Sequence, residues 1–471
     1  MRQGAKGIGT LALGIAASAG LALSGAISAG AAATTGDWAA YLDGPQHSSF
    51  SAAETTITPA NAAKLASGWR FPGVRPSRPG QPGGGFLASP TVVGGYVYIG
   101  ADTGWFYKLN ALTGHIVAKR FVGYERATTC KPGRGFVDTA TVEPDRAGAL
   151  MVYVGGPDGY LYALRASNLT VKWRSVIAIP SATVNDYFQW SSPTVTRGRI
   201  YIGVASNCDQ PLVKGELISY NQASGKRRSV FRAMPGSQTG AGIWSSAAID
   251  DRGYVYVTTG NEGRGVTAPG HSDEIVKLSP YTLRPVRSFT VPSAELIPDG
   301  DFGASPTIFG QYVGACNKNG IFYALRRSTM KLAWSQRIGA PAPRHGISNC
   351  SAAAVYDGTT LYIAGPRHMI NGTTYPGSVQ ALDPNTGSLL WQTGLTNGVI
   401  GTPSLDGGGV LAVGTYDFTN TPNEVYLLDA SSGQIVRQLV RGSADFAQSV
   451  FADGRLFTAN GDGLVSWVVG P

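Results

Sequence analysis

The chain has 471 residues and a formal net charge of +9, from 38 Lys and Arg against 29 Asp and Glu. Its longest basic cluster is Lys226 to Arg228, directly after a turn glycine, so the sequence does not support nucleic-acid binding and no nucleic-acid partner is expected. The chain contains no Cys-x-x-Cys-His motif, which excludes covalent c-type haem, and no paired Cys-x-x-Cys motifs that would indicate zinc.

Residues 1–33 have the composition of a secretory signal peptide. Arg2 and Lys6 precede an apolar run rich in Ala and Leu, and the run ends in small residues suited to cleavage. No cysteine lies near the expected cleavage region, so lipid attachment is not predicted. We expect a secreted, extracellular protein in which residues 34–471 form one domain, with no transmembrane anchor after cleavage. An uncleaved membrane anchor is the alternative interpretation of the same run.

Ser89 to Phe121 contains one complete structural unit. It reads SPTVV, GG, YVYIG, ADTG, WFYKLN, ALTG, HIVAKRF, so β-branched and aromatic runs alternate with turn residues. This pattern predicts four antiparallel strands in a meander. Helical periodicity is nearly absent from the chain, and the predicted fold class is therefore all-β.

The third strand of this unit recurs along the chain, for example as GYLYAL from Gly159, GIFYAL from Gly320 and GSVQALDPNTG from Gly377. The position after the recurring leucine is spaced by 46 to 58 residues and is occupied by Asn110, Arg165, Asn221, Ser279, Arg326, Asp383 and Asp429. A four-stranded unit that repeats at this interval is typical of a β-propeller, with a linear stack as the competing geometry.

The two ends of the chain indicate that the ring of units is closed. Phe451 to Val469 supplies inner strands of an eighth unit, and Leu65 to Phe71 has the pattern of its missing outer strand. Seven complete units and one shared unit predict an eight-bladed β-propeller of four-stranded blades, closed by N- and C-terminal strands. Closure protects the strand edges that a single sheet would expose.

Four cysteines permit three pairings in a chain that leaves the cytosol: Cys130, Cys208, Cys316 and Cys350. Cys316 ends a strand of one unit and Cys350 opens the next unit, and neighbouring units bring such strands side by side. The preferred pairing is therefore Cys316 with Cys350 and Cys130 with Cys208.

Several segments resemble the quinoprotein alcohol dehydrogenases and related proteins with pyrroloquinoline-quinone (PQQ) propeller repeats. Residues 37–71 are similar to the N-terminal signature of that family. SDEIVKL from Ser272, DFGASP from Asp301 and KNGIFYAL from Lys318 are most similar to the polyvinyl-alcohol dehydrogenase branch. The resemblance covers nearly all of the mature chain. It implies an eight-bladed propeller that carries PQQ on its axis beside a calcium ion.

The resemblance assigns roles to three residues. Trp244 matches a tryptophan whose indole face supports the flat quinone. Lys318 matches a basic residue that contacts the carbonyl oxygens of the quinone, where an ammonium would stabilise developing negative charge. Asn261 matches a calcium ligand, because calcium prefers oxygen donors. Each residue has a structural alternative, which is packing for Trp244 and turn formation for Lys318 and Asn261.

Two positions depart from the family pattern. Ser279 stands where we expect the aspartate that takes the alcohol proton, and a serine hydroxyl is not a base near neutral pH without one of its own. Gln210 matches the calcium-binding glutamate and lacks its charge. Asp209 beside Gln210 could supply a carboxylate to calcium, and Asp301 or Asp273 could supply the base.

The sequence thus supports two hypotheses. The first is a secreted quinoprotein oxidoreductase with PQQ and calcium that acts on small or polymeric alcohols and passes electrons to a separate acceptor, because the chain has no haem motif. The second is a non-catalytic propeller that has lost the cofactor and binds an extracellular protein or glycan through its loops. The tryptophan, lysine and asparagine favour the first hypothesis, and the two departures favour the second.

Overall fold

A computed structural model describes residues 36–73, 84–124, 134–181, 186–263, 265–268, 270–342, 349–417 and 422–470. The expected signal peptide, residues 1–33, lies outside these ranges. Within them the chain is all-β apart from three single-turn 3₁₀ helices at Tyr41–Asp43, Ala62–Lys64 and Ser293–Glu295. The same residues include no helix long and apolar enough to cross a membrane.

The first strands illustrate how the repeat folds. Strands β1 (Phe50–Ser51) and β2 (Leu65–Phe71) join blades at the far end of the chain, and blade 1 then comprises β3 (Thr91–Val93), β4 (Tyr96–Gly100), β5 (Trp105–Asn110) and β6 (Ile116–Phe121). The side chains of β3 are buried, whereas those of β6 are partly or fully exposed. The first strand of the blade therefore lies nearest the axis and the fourth lies at the rim.

The other blades keep this order. Blade 2 contains β7 (Thr141–Pro144), β8 (Leu150–Gly155), β9 (Tyr160–Arg165) and β10 (Val171–Val176); blade 3 contains β12 (Thr194–Thr196), β13 (Arg199–Ser206), β14 (Glu216–Asn221) and β15 (Arg227–Arg232), with the short β11 (Tyr187–Phe188) beside β13. Blade 4 contains β16 (Ala248–Ile249), β17 (Val255–Thr258), β18 (Glu274–Leu278) and β19 (Pro285–Thr290); blade 5 contains β20 (Thr307–Phe309), β21 (Tyr312–Cys316), β22 (Ile321–Arg326) and β23 (Leu332–Arg337).

Blade 6 contains β24 (Val355–Tyr356), β25 (Leu361–Gly365), β28 (Gly377–Leu382) and β29 (Leu389–Leu395), with a hairpin of β26 (His368–Ile370) and β27 (Thr373–Tyr375) inserted in the middle. Blade 7 contains β30 (Ser404–Asp406), β31 (Val410–Gly414), β32 (Asn423–Asp429) and β33 (Ile435–Gly442). Blade 8 contains β34 (Val450–Ala452), β35 (Arg455–Asn460) and β36 (Gly463–Val469). The fourth strand of blade 8 is β2, which pairs antiparallel with β36. The predicted eight-bladed propeller and its closure by terminal strands are confirmed.

A ring of hydroxyl groups fastens the innermost strands to one another. The backbone N–H of one blade donates to a hydroxyl of the next, at 2.9–3.1 Å, in the pairs Ser89–Thr139, Thr139–Ser192, Ser192–Ser246, Ser246–Ser305, Ala353–Thr402 and Gln448–Ser89. The last pair joins blade 8 to blade 1 and closes the ring. Two junctions lack this hydroxyl, because the acceptor position is Ala353 between blades 5 and 6 and Gln448 between blades 7 and 8.

Tryptophans near the rim lock neighbouring blades together. Trp334 on β23 donates through Nε1 to the carbonyl of Pro384 in blade 6, and its indole covers Gly387. A Cβ at Gly387 would lie 2.5 Å from Trp334, and φ there is +74°, so only glycine fits both the contact and the backbone. The same arrangement recurs with Trp69 over Gly114 and Trp391 over Gly433.

The segment before β2 crosses one face of the ring. Its backbone carbonyls accept hydrogen bonds from the innermost strands of six blades, in the pairs Trp38–Val92, Ala39–Val142, Pro45–Ile249, Gln46–Ile308, Ser48–Tyr356 and Ser49–Leu405. β1 then pairs parallel with β30. Residues 38–51, here called the N-terminal segment, therefore close one end of the axial channel.

One of the two predicted disulfides is present in the structure. Cys316 at the end of β21 and Cys350 just before β24 form a disulfide that joins blade 5 to blade 6, as predicted. The second predicted pairing involves Cys130, which lies outside the described residues.

Candidate functional site

A cavity of about 280 Å³ opens at the end of the axial channel opposite the N-terminal segment. It is formed where the chain enters the first strand of each blade and leaves the second strand. Its lining consists of Leu87, Arg134, Trp190, Ala205, Ser206, Asn207, Cys208, Asp209, Leu212, Gly242, Trp244, Gly260, Asn261, Asp301, Lys318, Asn349, Ser351, Ile400, Tyr416 and Phe446. Below it, a smaller cavity of about 70 Å³ reaches Tyr41 in the N-terminal segment.

Three of the predicted site residues contact one another in this cavity. The indole Nε1 of Trp244 donates to Oδ2 of Asp301 at 3.1 Å. The ammonium of Lys318 forms an ion pair with Oδ1 of Asp301 and lies 5.6 Å from the centroid of the Trp244 ring. The backbone N–H of Lys318 also donates to the carbonyl of Asp301 at 3.1 Å. Asp301 therefore positions both the aromatic face and the cation.

The position of the Trp244 ring depends on its neighbour in blade 5. A Cβ on Gly303 would lie 2.5 Å from the six-membered ring of Trp244. Gly303 and Asp301 both belong to the DFGASP string, so this short segment provides the carboxylate that holds the indole and the gap that the indole fills. The sequence thus places a half-buried aromatic ring between blades 4 and 5.

For both Asp301 and Lys318, burial and the neighbouring charges shift the pKa in opposite directions. Burial raises the pKa of Asp301, and the Lys318 ammonium opposes part of that rise. Burial alone would lower the pKa of Lys318, but the carboxylates of Asp301 and Asp299, the latter 3.1 Å from Nζ, outweigh it and raise that pKa. Lys318 consequently stays positively charged, and Asp301 is a stronger base than an exposed aspartate.

Two further predicted residues line the same cavity. Asn261 follows β17, and its backbone carbonyl accepts a hydrogen bond from Ala241 at 2.7 Å. Asp209 follows β13, adopts a left-handed φ of 61°, and accepts a hydrogen bond from the Ser206 hydroxyl at 2.5 Å. Asn261 and Asp209 therefore both line the cavity, while the described residues contain no group of three or more His, Cys, Asp and Glu side chains placed to hold a metal ion.

Asp273 and Gln210 are not among the residues that line the cavity. Gln210 is exposed. Burial, with the nearby charges of Asp301 and Glu262, raises the pKa of Asp273 to about 7. Asp273 is thus affected by the charge of Asp301 without lining the cavity, and Asp301 is the candidate base that lines it.

Ser279 lies in a turn and not in the cavity. Its hydroxyl bonds to that of Thr282 at 2.6 Å and accepts a hydrogen bond from the backbone of Arg284 at 3.0 Å, in the turn between β18 and β19. Asn110 accepts backbone hydrogen bonds in the same way in blade 1, and Asp383 does so in blade 6. The position after the recurring leucine is therefore a turn-forming position. The serine found there carries no information about the base.

The other aromatic and basic residues of the cavity were not among the residues predicted from the sequence. Trp190, Tyr416 and Phe446 line it, and so does Arg134, whose guanidinium lies 4.0 Å from the carboxylate of Asp102. A signal for several of them was present. The residues two positions before the hydroxyl-ring positions all line the axial cavities: Leu87, Val137, Trp190, Trp244, Gly303, Ser351, Ile400 and Phe446.

Comparison with protein families agrees with this architecture. Residues 38–268 match the family described as the glucose, ethanol and alcohol dehydrogenase β-propeller domain, and residues 318–468 match the family described as outer membrane protein assembly factor BamB. The chain is a PQQ-repeat β-propeller. The first family covers the blades that provide Trp244 and Asn261, so this PQQ-repeat propeller is quinoprotein alcohol dehydrogenase-like. No curated protein matched the sequence.

Solved structures share the fold of this PQQ-repeat propeller at low identity. The quinohemoprotein alcohol dehydrogenase from Comamonas testosteroni is 17% identical with a TM-score of 0.72, over 94% of this chain and 82% of that one. A europium-containing methanol dehydrogenase is 15% identical with a TM-score of 0.69, over 90% of each chain. BamB from Moraxella catarrhalis is 16% identical with a TM-score of 0.54, over 86% of this chain and 97% of that one.

Proposed function

We propose that the cavity binds pyrroloquinoline quinone with calcium and that the protein oxidises alcohols. The observation that carries the proposal is the contact of Trp244, Asp301 and Lys318 in one axial cavity. An indole face, a carboxylate and a fixed cation are the groups that alcohol oxidation by a flat quinone requires. The low-identity structures support only the fold.

The residues present fit a flat, oxygen-rich cofactor. The half-buried indole of Trp244 offers an apolar face, and the cavity of about 280 Å³ is close to the lower end of the usual range for small-molecule sites. Lys318 and Arg134 provide positive charge at its wall. When bound, PQQ would accept two electrons from the alcohol carbon as hydride.

The chain itself would supply the base and the charge stabilisation. Asp301 would take the hydroxyl proton of the alcohol, because its burial makes the carboxylate a better proton acceptor near neutral pH. Lys318 would hold positive charge where oxygen becomes negative, and its own carboxylate partners keep it protonated. Trp244 would orient the substrate-facing plane and exclude water beneath it.

The oxygen donors of the cavity fit a calcium ion. Oδ1 of Asp301 is buried and, among the described residues, accepts no hydrogen bond of good geometry although it is ion-paired with Lys318. Asn261 and Asp209 add an amide and a carboxylate oxygen to the lining. Calcium would be held by these oxygens, since hard cations prefer such ligands.

The proposal extends to substrate and location. The segments similar to polyvinyl-alcohol dehydrogenases make polymeric secondary alcohols test substrates beside small alcohols. The signal-peptide sequence and the Cys316–Cys350 disulfide favour a protein that works outside the cytosol. Electrons would leave to a separate acceptor, because the sequence contains no haem attachment motif.

A second candidate function is a binding propeller without redox chemistry. The match of residues 318–468 to the BamB family favours it. In that case the open end of the channel would be an interaction surface for an extracellular protein or glycan. Binding of PQQ is the property that separates the two candidates.

Titration of the purified protein with PQQ in the presence of calcium tests the proposal. We expect saturable quenching of tryptophan fluorescence at micromolar quinone, followed by dye reduction on addition of alcohols. Trp244→Ala should weaken quinone binding at least tenfold. Trp105→Ala is the matched control, because Trp105 packs on Phe121 at the rim of blade 1, and its binding should equal wild type. Absence of quenching in the wild type, or equal losses in both variants, would refute the proposal.

A further inference from the structure

A second large cavity lies on the opposite face of the propeller, at the junction of blades 1 and 2. Its volume is about 500 Å³, and it is open to solvent at the turns between β3 and β4, β7 and β8, and β9 and β10. Its lining includes Val93, Tyr96, Lys108, Leu150, Arg165 and Lys172. We call this cavity the blade 1–2 groove. It shares no residue with the axial cavity.

Lys108 is the unusual member of the groove. Its residue surface is only 6% exposed, and its Nζ lies 3.8 Å from the ring centroid of Tyr96 and 5.7 Å from that of Tyr98. Burial lowers the pKa of Lys108. Within the described part of the chain no oxygen accepts a hydrogen bond from this ammonium and no carboxylate pairs with it. The groove is open to solvent, so water is the remaining acceptor for this largely buried cation, and the two ring contacts offset only part of its lost hydration.

Blade 4 contains the same cage, which is a lysine ammonium beside two tyrosine rings, and there the ammonium has an oxygen acceptor. Lys277 pairs with Tyr256 across β17 and β18 as Lys108 pairs with Tyr98 across β4 and β5. Nζ of Lys277 lies 4.0 Å from the ring of Tyr254 and 5.6 Å from that of Tyr256. It donates to the carbonyl of Arg327 in blade 5 at 2.7 Å. In blade 4 the next blade therefore provides an oxygen for this ammonium.

A single replacement explains why blade 1 lacks the acceptor. In blade 4 the hydroxyl of Tyr256 bonds to Asp250 at 3.0 Å and leaves the carbonyl of Arg327 to the lysine. Blade 1 has Val93 where blade 4 has Asp250, as the strand pairing shows. In blade 1 the hydroxyl of Tyr98 has no such carboxylate and instead donates a hydrogen bond to the carbonyl of Ala166 in blade 2, at 3.4 Å.

The rest of the groove favours a negative ligand. Asp145 is the one carboxylate among the lining residues, and it is occupied by Lys172 at 2.7 Å and by backbone N–H groups of Ala147 and Ala149. Arg165 is exposed at the rim, and no described side chain forms an ion pair with it. The groove thus carries Lys108 and Arg165 as cations that lack a carboxylate partner, above an apolar floor that includes Leu150.

We propose that the blade 1–2 groove binds an oxyanion, the carboxylate or phosphate group of a small acidic ligand, with the Lys108 ammonium as its hydrogen-bond donor. Arg165 adds charge at the rim, and the apolar part of the ligand lies on Leu150. The oxyanion takes the place that the carbonyl of Arg327 has beside Lys277. The proposal is independent of the redox proposal, because the two cavities lie on opposite faces.

Calorimetric titration of the full-length mature protein with glucuronate, and separately with inorganic phosphate, tests this site. Ionic strength is matched with sodium chloride, and glucose is the neutral control. We expect saturable binding of at least one of the two anions and none of glucose. Lys108→Met should weaken anion binding at least tenfold, and Arg165→Gln a few-fold. Lys277→Met, the same change in the cage of blade 4, should leave binding within twofold of wild type.

The thermal stability of the same variants provides a second measurement. Lys108→Met should melt at or above the wild-type temperature without ligand, because it removes a largely buried charge whose remaining acceptor is water. Lys277→Met should melt lower, because it breaks a satisfied hydrogen bond. The proposal is wrong if neither anion binds the wild type, or if both lysine variants lose anion binding equally.

Discussion

The two ends of the axial channel are built from different kinds of interaction. At the closed end, residues 38–51 meet six blades through backbone hydrogen bonds and carry two ionisable side chains, the buried His47 and the partly buried Asp43. At the open end, Asp301 organises a tryptophan and a lysine through side-chain contacts. The closed end fixes the ring, and the open end presents chemical groups that a ligand can reach.

Because of this difference, we expect substitutions at the open end to affect function and substitutions at the closed end to affect folding. Backbone hydrogen bonds tolerate many side chains, so the closed end should respond through stability and pH. Side-chain contacts disappear with a single replacement, so the open end should respond through binding and turnover. Variants at the two ends should therefore differ in the property that they change, and the largest effect is expected at the open end.

Asp301→Asn should separate chemistry from binding at the open end. The change keeps the hydrogen bond to Trp244 possible but removes the base, and we expect kcat for alcohol oxidation to fall about 10³-fold, within the range for loss of a general base. Binding of PQQ should change only a few-fold. Steady-state dye reduction and fluorescence titration measure the two quantities.

Asp299→Asn is the matched control for this variant. Asp299 also contacts the Lys318 ammonium, at 3.1 Å, but it does not line the cavity. We expect kcat to fall less than tenfold. Equal losses in the two variants would mean that Asp301 acts only as a partner of Lys318.

At the closed end, His47 and Asp43 should give opposite contributions to stability as pH changes. Burial lowers the pKa of His47 to about 4, although its Nδ1 donates to the carbonyl of Pro306 at 2.8 Å. The unfolded chain therefore takes up a proton before the folded one, and this stability is lost as pH falls from about 6.5 to about 4. Burial raises the pKa of Asp43 to about 7, so its contribution grows as pH falls from about 7 to about 4.

Asparagine suits both positions, since φ is 61° at His47 and 55° at Asp43. Compared with wild type, His47→Asn should gain up to about 3 kcal/mol of unfolding free energy on going from pH 7 to pH 4, and Asp43→Asn should lose a similar amount. Denaturant unfolding at several pH values measures the slopes. Parallel pH profiles for the two variants would contradict the assignment of these groups as buried.

The smallest effect is expected at Ser279, which belongs to neither end. Ser279→Ala removes the two hydrogen bonds of an exposed turn hydroxyl and should lower the unfolding free energy by about 1 kcal/mol, with kcat within twofold of wild type. Ser279→Asp should likewise leave kcat unchanged. A gain of activity in the aspartate variant would restore this turn as the place of the base.

Much of the fold could be predicted because the residues of each blade by themselves predict its strands and turns. The pairing of Leu65–Phe71 with the last strand and the Cys316–Cys350 disulfide also followed from the repeat. The path of the N-terminal segment could not be predicted, because backbone groups make its contacts and its side chains show no strand alternation.

The site was predictable in part. Trp244, Lys318 and Asp301 were candidates from the resemblance, and the structure brings them together. Trp190 and Phe446 were missed because they meet only after the ring closes, when positions far apart in sequence reach the same axis. The position of Ser279 was misassigned because the residue after the recurring leucine forms a turn, which sequence alignment of the repeat does not distinguish from a cavity position.

The disulfide between blades 5 and 6 gains importance from its place. The hydroxyl that fastens other innermost strands is absent there, since the chain has Ala353, and the covalent link spans this same junction. Cys316 stands two residues before Lys318, so the bond that replaces the missing hydroxyl also anchors the loop that carries the cation. A ring folded under reducing conditions would therefore lose the covalent link at the junction that carries Lys318, and the axial cavity would lose an anchor on that side.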